Sequence, residues 1–311
     1  MDLEVGDVSE PVPKDGEALV RIRSTSINDW DWGLVRGKPF VIRMIHGLKK
    51  PGITIPGVDI SGKIVSVGGK VNSLTVGDDV YGDLSDCGFG GFAEYVCVPA
   101  GALSKKPAAI SHNDAAALPH AGLLALQGLV ELGKVKSGQK ILINGAGGGV
   151  GTLGVQILKP YDVTVAGVDS GEKLDMMKSL GFDSVIDYKE LDFTDTGEKY
   201  DLILDTKSNR SAYKYYRCLR KKGTYITVGG SMYRLLEIFL MGSLITLFTS
   251  KKLSVLSLKP NKGLDQLSKL VEKGQLRPVI DGPYEFDKIP ALIQYFGEGK
   301  HRGKIVVEIA S

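Results

Sequence analysis

The turn Gly145-Ala146-Gly147-Gly148-Gly149-Val150-Gly151 is the stretch of this sequence best suited to chemistry. Glycines let a backbone approach an anion closely. Where such a turn opens a helix, the first N–H groups are unpaired and point at the anion. The chemistry would be the holding of a phosphate. The turn follows Lys140-Ile141-Leu142-Ile143-Asn144, an apolar run that reads as a strand buried on both faces. It leads into Thr152 to Lys159, which reads as a helix stopped by Pro160. A flexible loop can carry the same glycines, so the segments that follow must decide.

A second group of residues follows the next apolar run, Val163 to Val168. Asp169 ends it, and an acid there accepts hydrogen bonds from a ribose 2′-OH, which suits NAD(H). Ser170 and Lys173 suit a 2′-phosphate instead, the serine by a neutral hydrogen bond and the lysine by its charge. The reading favours NADP(H) without excluding NAD(H).

These residues need a sheet to position them. Glu172 to Leu180 reads as a helix closed by Gly181. Ser184 to Tyr188, Asp201 to Asp205 and Thr224 to Val228 read as further strands, the last ending at Gly229-Gly230. Lys252 to Leu258 reads as a sixth. Strands alternating with helices predict βαβ units, a parallel sheet and one crevice at the strand ends.

Residues 1 to about 108 have a different pattern. Ala18 to Arg23, Gly62 to Gly68, Gly77 to Gly82 and Phe92 to Val98 read as short strands with frequent turns, which predicts a barrel-like β domain. Ser111-His112-Asn113-Asp114 starts a helix; Pro119 interrupts it, and Gly122 to Leu132 reads as another. Leu264 to Glu272 and Ile289 to Phe296 read as helices. The final strand, Gly303 to Ile309, is expected to return to the β domain.

At 311 residues the chain can hold two domains. A net charge of +3 gives no argument for nucleic acid or membrane binding. Cys87, Cys97 and Cys218 form no disulfide framework, which fits a reducing, cytoplasmic setting. The N-terminus does not read as a signal peptide. Leu235 to Phe248 is apolar but contains Glu237 and is too short to span a bilayer; it reads as a buried helix or a subunit contact.

The sequence resembles the medium-chain dehydrogenase/reductase superfamily, in its zinc-independent quinone oxidoreductase branch related to zeta-crystallin. The marks are Ile27 to Trp32, Pro56 to Gly62, Gly77 to Gly82, Gly91 to Val96, Ala116 to Pro119, the Ala146 to Gly151 turn and Arg302 to Val307. The resemblance implies an α/β fold, a doubly wound Rossmann sheet plus a GroES-like β-rich catalytic domain, with the active site in the cleft between them. The expected boundaries are 1–108 and 262–311 for the discontinuous catalytic domain and 109–261 for the Rossmann domain. Ala146, Gly148 and Gly151 take the three fingerprint places, with Gly149 and Val150 between them. By the same resemblance Ser170, Lys173 and Tyr188 match phosphate-binding positions. Gly229, Gly230, Arg302 and Lys304 complete the expected cofactor contacts.

Three features depart from the family's pattern. A strand usually precedes the Leu3-Glu4-Val5 region, and this sequence does not include it. Leu124 stands where relatives often carry a threonine that helps hold the nicotinamide. Pro160-Tyr161-Asp162 replaces a more helical connection.

Zinc relatives use a cysteine and a His-Glu pair, whereas this sequence places Asn28 near the cysteine and Val58-Asp59 at the pair. His46, His112, His120 and His301 have no metal spacing, so no metal is expected. Carbonyl polarisation must then come from hydrogen-bond donors. Asn28 is the first candidate, against its reading as a turn residue, and Tyr81 the second, against simple packing. Asp31 could serve a proton relay but reads rather as a solvated loop carboxylate; His120, near the expected cleft, titrates in the right range for acid–base work but reads rather as a structural histidine.

The expected function is hydride transfer from NADPH to a quinone or an α,β-unsaturated carbonyl. The alternatives are a zinc-free alcohol or carbonyl oxidoreductase, and a nucleotide-binding sensor or structural protein with little turnover. Trp30, Trp32, Phe40, Leu124 and Met232 suggest a small apolar substrate. A homodimer joined through the Leu253 to Leu258 strand fits the family habit.

Overall fold

The structure is a computed structural model that describes residues 3–48 and 50–309. The first strand, β1 (Glu17–Ser26), is buried except at Glu17, Arg21 and Arg23, which are half-buried. It runs into α1 (Asp29–Arg36), where Asp31 reaches back to the N–H of Asn28, and then α2 (Phe40–His46). β2 (Asp59–Val67), β3 (Asp79–Asp83), β4 (Tyr95–Pro99) and β5 (Ser104–Lys105) follow. A serine-capped α3 (His112–Ala116) leads to α4 (Pro119–Leu126), which continues as a π-helical segment, Gln127–Leu132. The helix breaks before Pro119 as expected, but α4 begins earlier than the expected Gly122, at the proline. It has no N–H to lose at a first helical position.

The parallel sheet then forms from β6 (Lys140–Asn144), α5 (Gly149–Leu158), β7 (Thr164–Asp169), α6 (Leu174–Leu180), β8 (Ser184–Asp187), β9 (Tyr200–Asp205), α7 (Ala212–Cys218), β10 (Leu219–Thr227), α8 (Met232–Phe248) and β11 (Lys252–Val255). The chain ends through α9 (Leu264–Glu272), β12 (Ile280–Glu285), α10 (Ile289–Glu298) and β13 (Lys304–Glu308). β10 starts earlier than expected, and β11 stops at Val255 rather than Leu258.

Two compact units result: Met1–His120 with Pro260–Gly274 and Pro278–Ser311, and Ala121–Lys259 with Gln275–Arg277. In the first, strands run in the order β12-β13-β1-β2-β3-β5, with β4 also on β1. The final strand returns to β1, Thr25 opposite Val307, as expected of it. One core lies among Ile22, Ile60, Ile64, Val80 and Val98, and another joins Ile27 to Leu292 and Ile305.

In the second unit the order is β11-β10-β9-β6-β7-β8, all parallel. The chain goes outward from β6 through β7 and β8, then returns to β9 on the other side. That reversal between β6 and β9 is the switch point at which such sheets bind ligands, beyond the strand ends.

Of the two readings of α8, a buried helix or a subunit contact, the structure does not fit the first. Only Ile238 and Gly242 are buried, while Phe239, Leu247 and Phe248 are 65%, 75% and 80% exposed. A Cβ on Gly242 would stand 2.4 Å from the Leu253 carbonyl oxygen, so the helix backbone sits directly on β11. One short edge strand covers only one stripe of a helix, and the other apolar side chains face outward. No helix among the described residues is long and apolar enough to cross a membrane.

Candidate active site

The glycine turn joins β6 to α5. Gly145 has φ +84°, and a Cβ there would lie 2.0 Å from Thr206 Oγ1. A Cβ on Gly151 would lie 2.3 Å from Ala146 Cα, so the first turn of α5 packs tightly on the loop. Gly148 differs: a Cβ there would meet only the Gly145 oxygen, at 3.6 Å. The space above Gly148 is open, and Gly148 caps α5 without a side chain. The early N–H groups of α5, at Gly149, Val150 and Gly151, thus face an open cradle with no side-chain cap. That arrangement fits a pyrophosphate. Gly229 and Gly230 follow β10 along the same edge of the sheet, Gly230 with φ +133° and closely packed on Ser208.

Asp169, at the end of β7, is already engaged. Its Oδ2 accepts from the Gly147 N–H at 2.8 Å and its Oδ1 from the Ser170 N–H at 2.9 Å. Lys173 Nζ lies 3.2 Å from Oδ1, both side chains being nearly buried. Burial lowers the proton affinity of Lys173, and the Asp169 charge beside it only partly offsets this. Tyr188 donates its backbone N–H to the Asp169 carbonyl at 3.1 Å, and its side chain is exposed. These four residues come together; the ribose-binding role weighed for Asp169 would require exchange of existing bonds.

In the first unit the candidate residues form a buried polar cluster around Asp59. Its Oδ2 accepts from Ser26 Oγ at 2.9 Å, Asn28 Nδ2 at 3.0 Å and Lys304 Nζ at 3.1 Å. Its Oδ1 accepts from the His120 N–H at 2.9 Å. Lys304 also donates to Asn28 Oδ1 at 2.6 Å and to the Ile27 carbonyl at 3.2 Å. Its three N–H bonds are thereby used inside this unit, and the cofactor contact expected of it would require exchange of existing bonds. Asn28 gives its second amide hydrogen to the Ser26 carbonyl at 3.3 Å. The amide expected to meet a substrate oxygen therefore has both donors engaged.

Tyr81 is fully buried, with its hydroxyl 2.7 Å from Ser268 Oγ and 3.2 Å from the Leu264 carbonyl oxygen, both on α9. That placement favours the packing reading over the catalytic one. Arg302 is exposed, and its backbone N–H donates to Asp281 Oδ2 at 3.1 Å. Trp32, expected among cleft residues, packs instead with α10, where a Cβ on Gly297 would lie 2.3 Å from its ring nitrogen. Trp30, Phe40 and Met232 are exposed.

Asp31 is placed differently from its reading in the sequence, and His120 gains a buried acidic partner. Asp31 is fully buried rather than solvated, and its carboxylate accepts from the N–H groups of Gly57 and Asn28 at 2.8 and 2.9 Å. Burial outweighs these bonds and pushes its pKa up to about 7. His120 Nδ1 lies 2.8 Å from Asp83 Oδ2, and neither residue is open to solvent by more than a sliver. No local spacing joins Asp83 to His120. The only signal was an acid ending an apolar strand.

Among the described residues no His, Cys, Asp and Glu groups gather as a metal site. Two cavities of the first unit, one of about 90 Å³ beside Leu34 and Ile42 and one of about 660 Å³ beside Arg23 and His112, contain none of the site residues.

Known proteins match both units. A family model described as alcohol dehydrogenase GroES-like domain matches residues 14–108, and one described as zinc-binding dehydrogenase matches residues 180–307. The chain is 33% identical to the chloroplastic quinone-oxidoreductase QR1 of Triphysaria versicolor, over 97% of this chain and 92% of that protein. It is 29% identical to a chloroplastic NADPH-dependent alkenal/one oxidoreductase of Arabidopsis thaliana, over 96% of this chain and 73% of that one. Its structure is similar to that of the quinone oxidoreductase from Coxiella burnetii, with a TM-score of 0.87 and 26% identity over 99% and 95% of the two chains.

Proposed function

The chain belongs to the medium-chain dehydrogenase/reductase superfamily, in its quinone oxidoreductase branch, and from that premise we propose that it is an NADPH-dependent reductase of quinones and α,β-unsaturated carbonyl compounds. The observation that carries this reading is the open, uncapped cradle at Gly148, at the switch point of a parallel sheet. NADPH supplies the hydride when bound. The protein's part is to hold the cofactor and substrate and to manage charge and protons.

The Asp169 environment supports NADPH over NADH. Both carboxylate oxygens already accept hydrogen bonds, and the Lys173 ammonium offsets the charge that would repel a 2′-phosphate. Ser170 and Tyr188 stand beside them, at the ends of the same two strands.

A zinc-free chemistry is supported by the donor set. An amide stands at Asn28 where zinc relatives need a cysteine, and Asp59 already pairs with an internal cation, Lys304. Metal analysis with activity after chelation tests this: stoichiometric metal lost together with activity contradicts it. Three free cysteines support a reducing compartment such as the cytosol.

A homodimer is supported by the outer edge of β11 and the apolar face of α8 beside it. Sedimentation of the wild type as a monomer at micromolar concentration contradicts that part. The function itself is tested by following NADPH oxidation against a panel of quinones, enones and saturated aldehydes. Turnover with the first two classes supports the reading. Turnover with saturated aldehydes alone would move it to carbonyl reduction.

A further inference from the structure

Reduction of an enone by hydride leaves a proton to be supplied. We propose that His120, held by Asp83, donates that proton; this rests on the reductase reading above. The candidates nearest Asp59 are otherwise committed. Both amide hydrogens of Asn28 and all three ammonium hydrogens of Lys304 bond within the protein. The Tyr81 hydroxyl is buried on α9.

His120 is arranged differently. Its backbone N–H is fixed on Asp59, and its Nδ1 on Asp83. Asp83 is itself held, its Oδ1 accepting from the Ser85 N–H at 2.8 Å. Its backbone is held too, its N–H donating to Asn261 Oδ1 at 2.8 Å. A carboxylate on Nδ1 sets the ring's orientation and stabilises its charged form. Nε2 takes no hydrogen bond from any described residue. A ring tied at one nitrogen and uncommitted at the other is what a general acid requires.

The charges that face the ring agree with this use. Burial works against the imidazolium, but the bond to Asp83 and the charges of Asp83 and Asp59 outweigh it, with Lys304 opposing. The net effect holds His120 above the ordinary histidine value, which favours the charged ring. In the step itself, hydride forms a C–H bond at the β-carbon and the C=C pair moves toward the carbonyl. The Nε2–H bond breaks, its proton goes to the substrate, and its electron pair stays on the neutral ring. Water then returns a proton to Nε2. The sum is enone, NADPH and one proton giving saturated ketone and NADP⁺.

The test uses the full chain with NADPH and an enone, comparing wild type, His120→Gln and Asp83→Asn. NMR titration of the wild-type ring, without cofactor, should show a midpoint above the ordinary range, and Asp83→Asn should lower it. His120→Gln should reduce kcat by about a hundredfold or more, the range of general acid catalysis. NADPH affinity, read by fluorescence, should stay within about twofold, because no cofactor contact is removed. The alkaline fall in wild-type kcat should follow the ring's titration and disappear in His120→Gln. If His120→Gln does not fold, Asp83→Asn should move the alkaline limb to lower pH, and an unmoved limb overturns the proposal. A His120→Gln enzyme with wild-type kcat and pH profile also overturns it, and leaves the reductase reading intact. A wild type that binds NADPH and reduces no enone or quinone overturns that reading and the proposal together.

Discussion

Lys304 Nζ lies 2.6 Å from Asn28 Oδ1, across 276 positions of sequence. The contact exists because β13 pairs with β1, setting the last strand beside the end of the first. Asp59 on β2 completes the group, and the Lys304–Asp59 pair is 5% and 0% exposed. A buried carboxylate with no cation is costly, so removing Lys304 alone should hurt most. Lys304→Met is expected to destabilise the protein by about 3–5 kcal/mol, and adding Asp59→Asn should recover part of that. Denaturant unfolding of the single and double variants measures it. A double variant whose loss equals the sum of the Lys304→Met and Asp59→Asn losses would mean that the pair is not coupled.

Asp31 predicts a pH dependence of stability. Burial holds its proton up to about pH 7 in the folded state, against 3.8 for the ordinary carboxyl. The folded chain therefore binds a proton that the unfolded chain has lost between those values. Its contribution is full below 3.8 and is lost as pH rises through about 7. Unfolding free energies measured across that window should fall with rising pH, and Asp31→Asn should flatten the slope. An unchanged slope in the variant would assign the effect to another group.

Lys173→Ala should weaken NADPH binding more than NADH binding. It leaves the Asp169 charge uncompensated beside the expected 2′-phosphate site. Loss of a charged contact costs about 1.5–3 kcal/mol, or roughly ten- to hundredfold in Kd. Titration calorimetry with both cofactors checks it. Equal weakening of the two would place the effect on the turn rather than on the phosphate.

Gly148→Val should leave the protein folded while removing cofactor binding. A Cβ at Gly148 meets nothing closer than 3.6 Å, so the fold has room for it. The valine would instead stand in the cradle where the pyrophosphate must approach. A loss of more than about hundredfold in affinity, roughly 2.8 kcal/mol, with an unchanged unfolding midpoint, is the expected pair of results. Retained affinity would show that the phosphate lies elsewhere.

The glycine turn was legible because it is built locally. The conformation of Gly145 and the close packing of Gly151 on Ala146 involve contiguous residues, and so does the strand before them. The parallel βαβ pattern followed from the alternation of apolar runs and helices, whereas the strand order came only with the structure. The polar cluster was not legible, because sheet pairing assembles it: β2 faces β3 with Asp59 opposite Asp83, and β13 closes on β1. No spacing within the chain announces that Lys304 will meet Asn28, or that His120 will meet Asp83. The same limit explains α8. Its composition is that of a buried helix, but burial depends on how much surface its neighbour offers, and β11 offers little.

As a reductase of this kind, the protein moves a hydride from NADPH to an electron-poor carbon. NADPH deuterated at the transferable nicotinamide position, incubated with the enzyme and an enone, tests it most directly. The account predicts deuterium at the β-carbon of the saturated product and solvent hydrogen at the α-carbon, read by NMR. Deuterium at the carbonyl carbon, with the double bond intact, would contradict it and mark the protein as a carbonyl reductase.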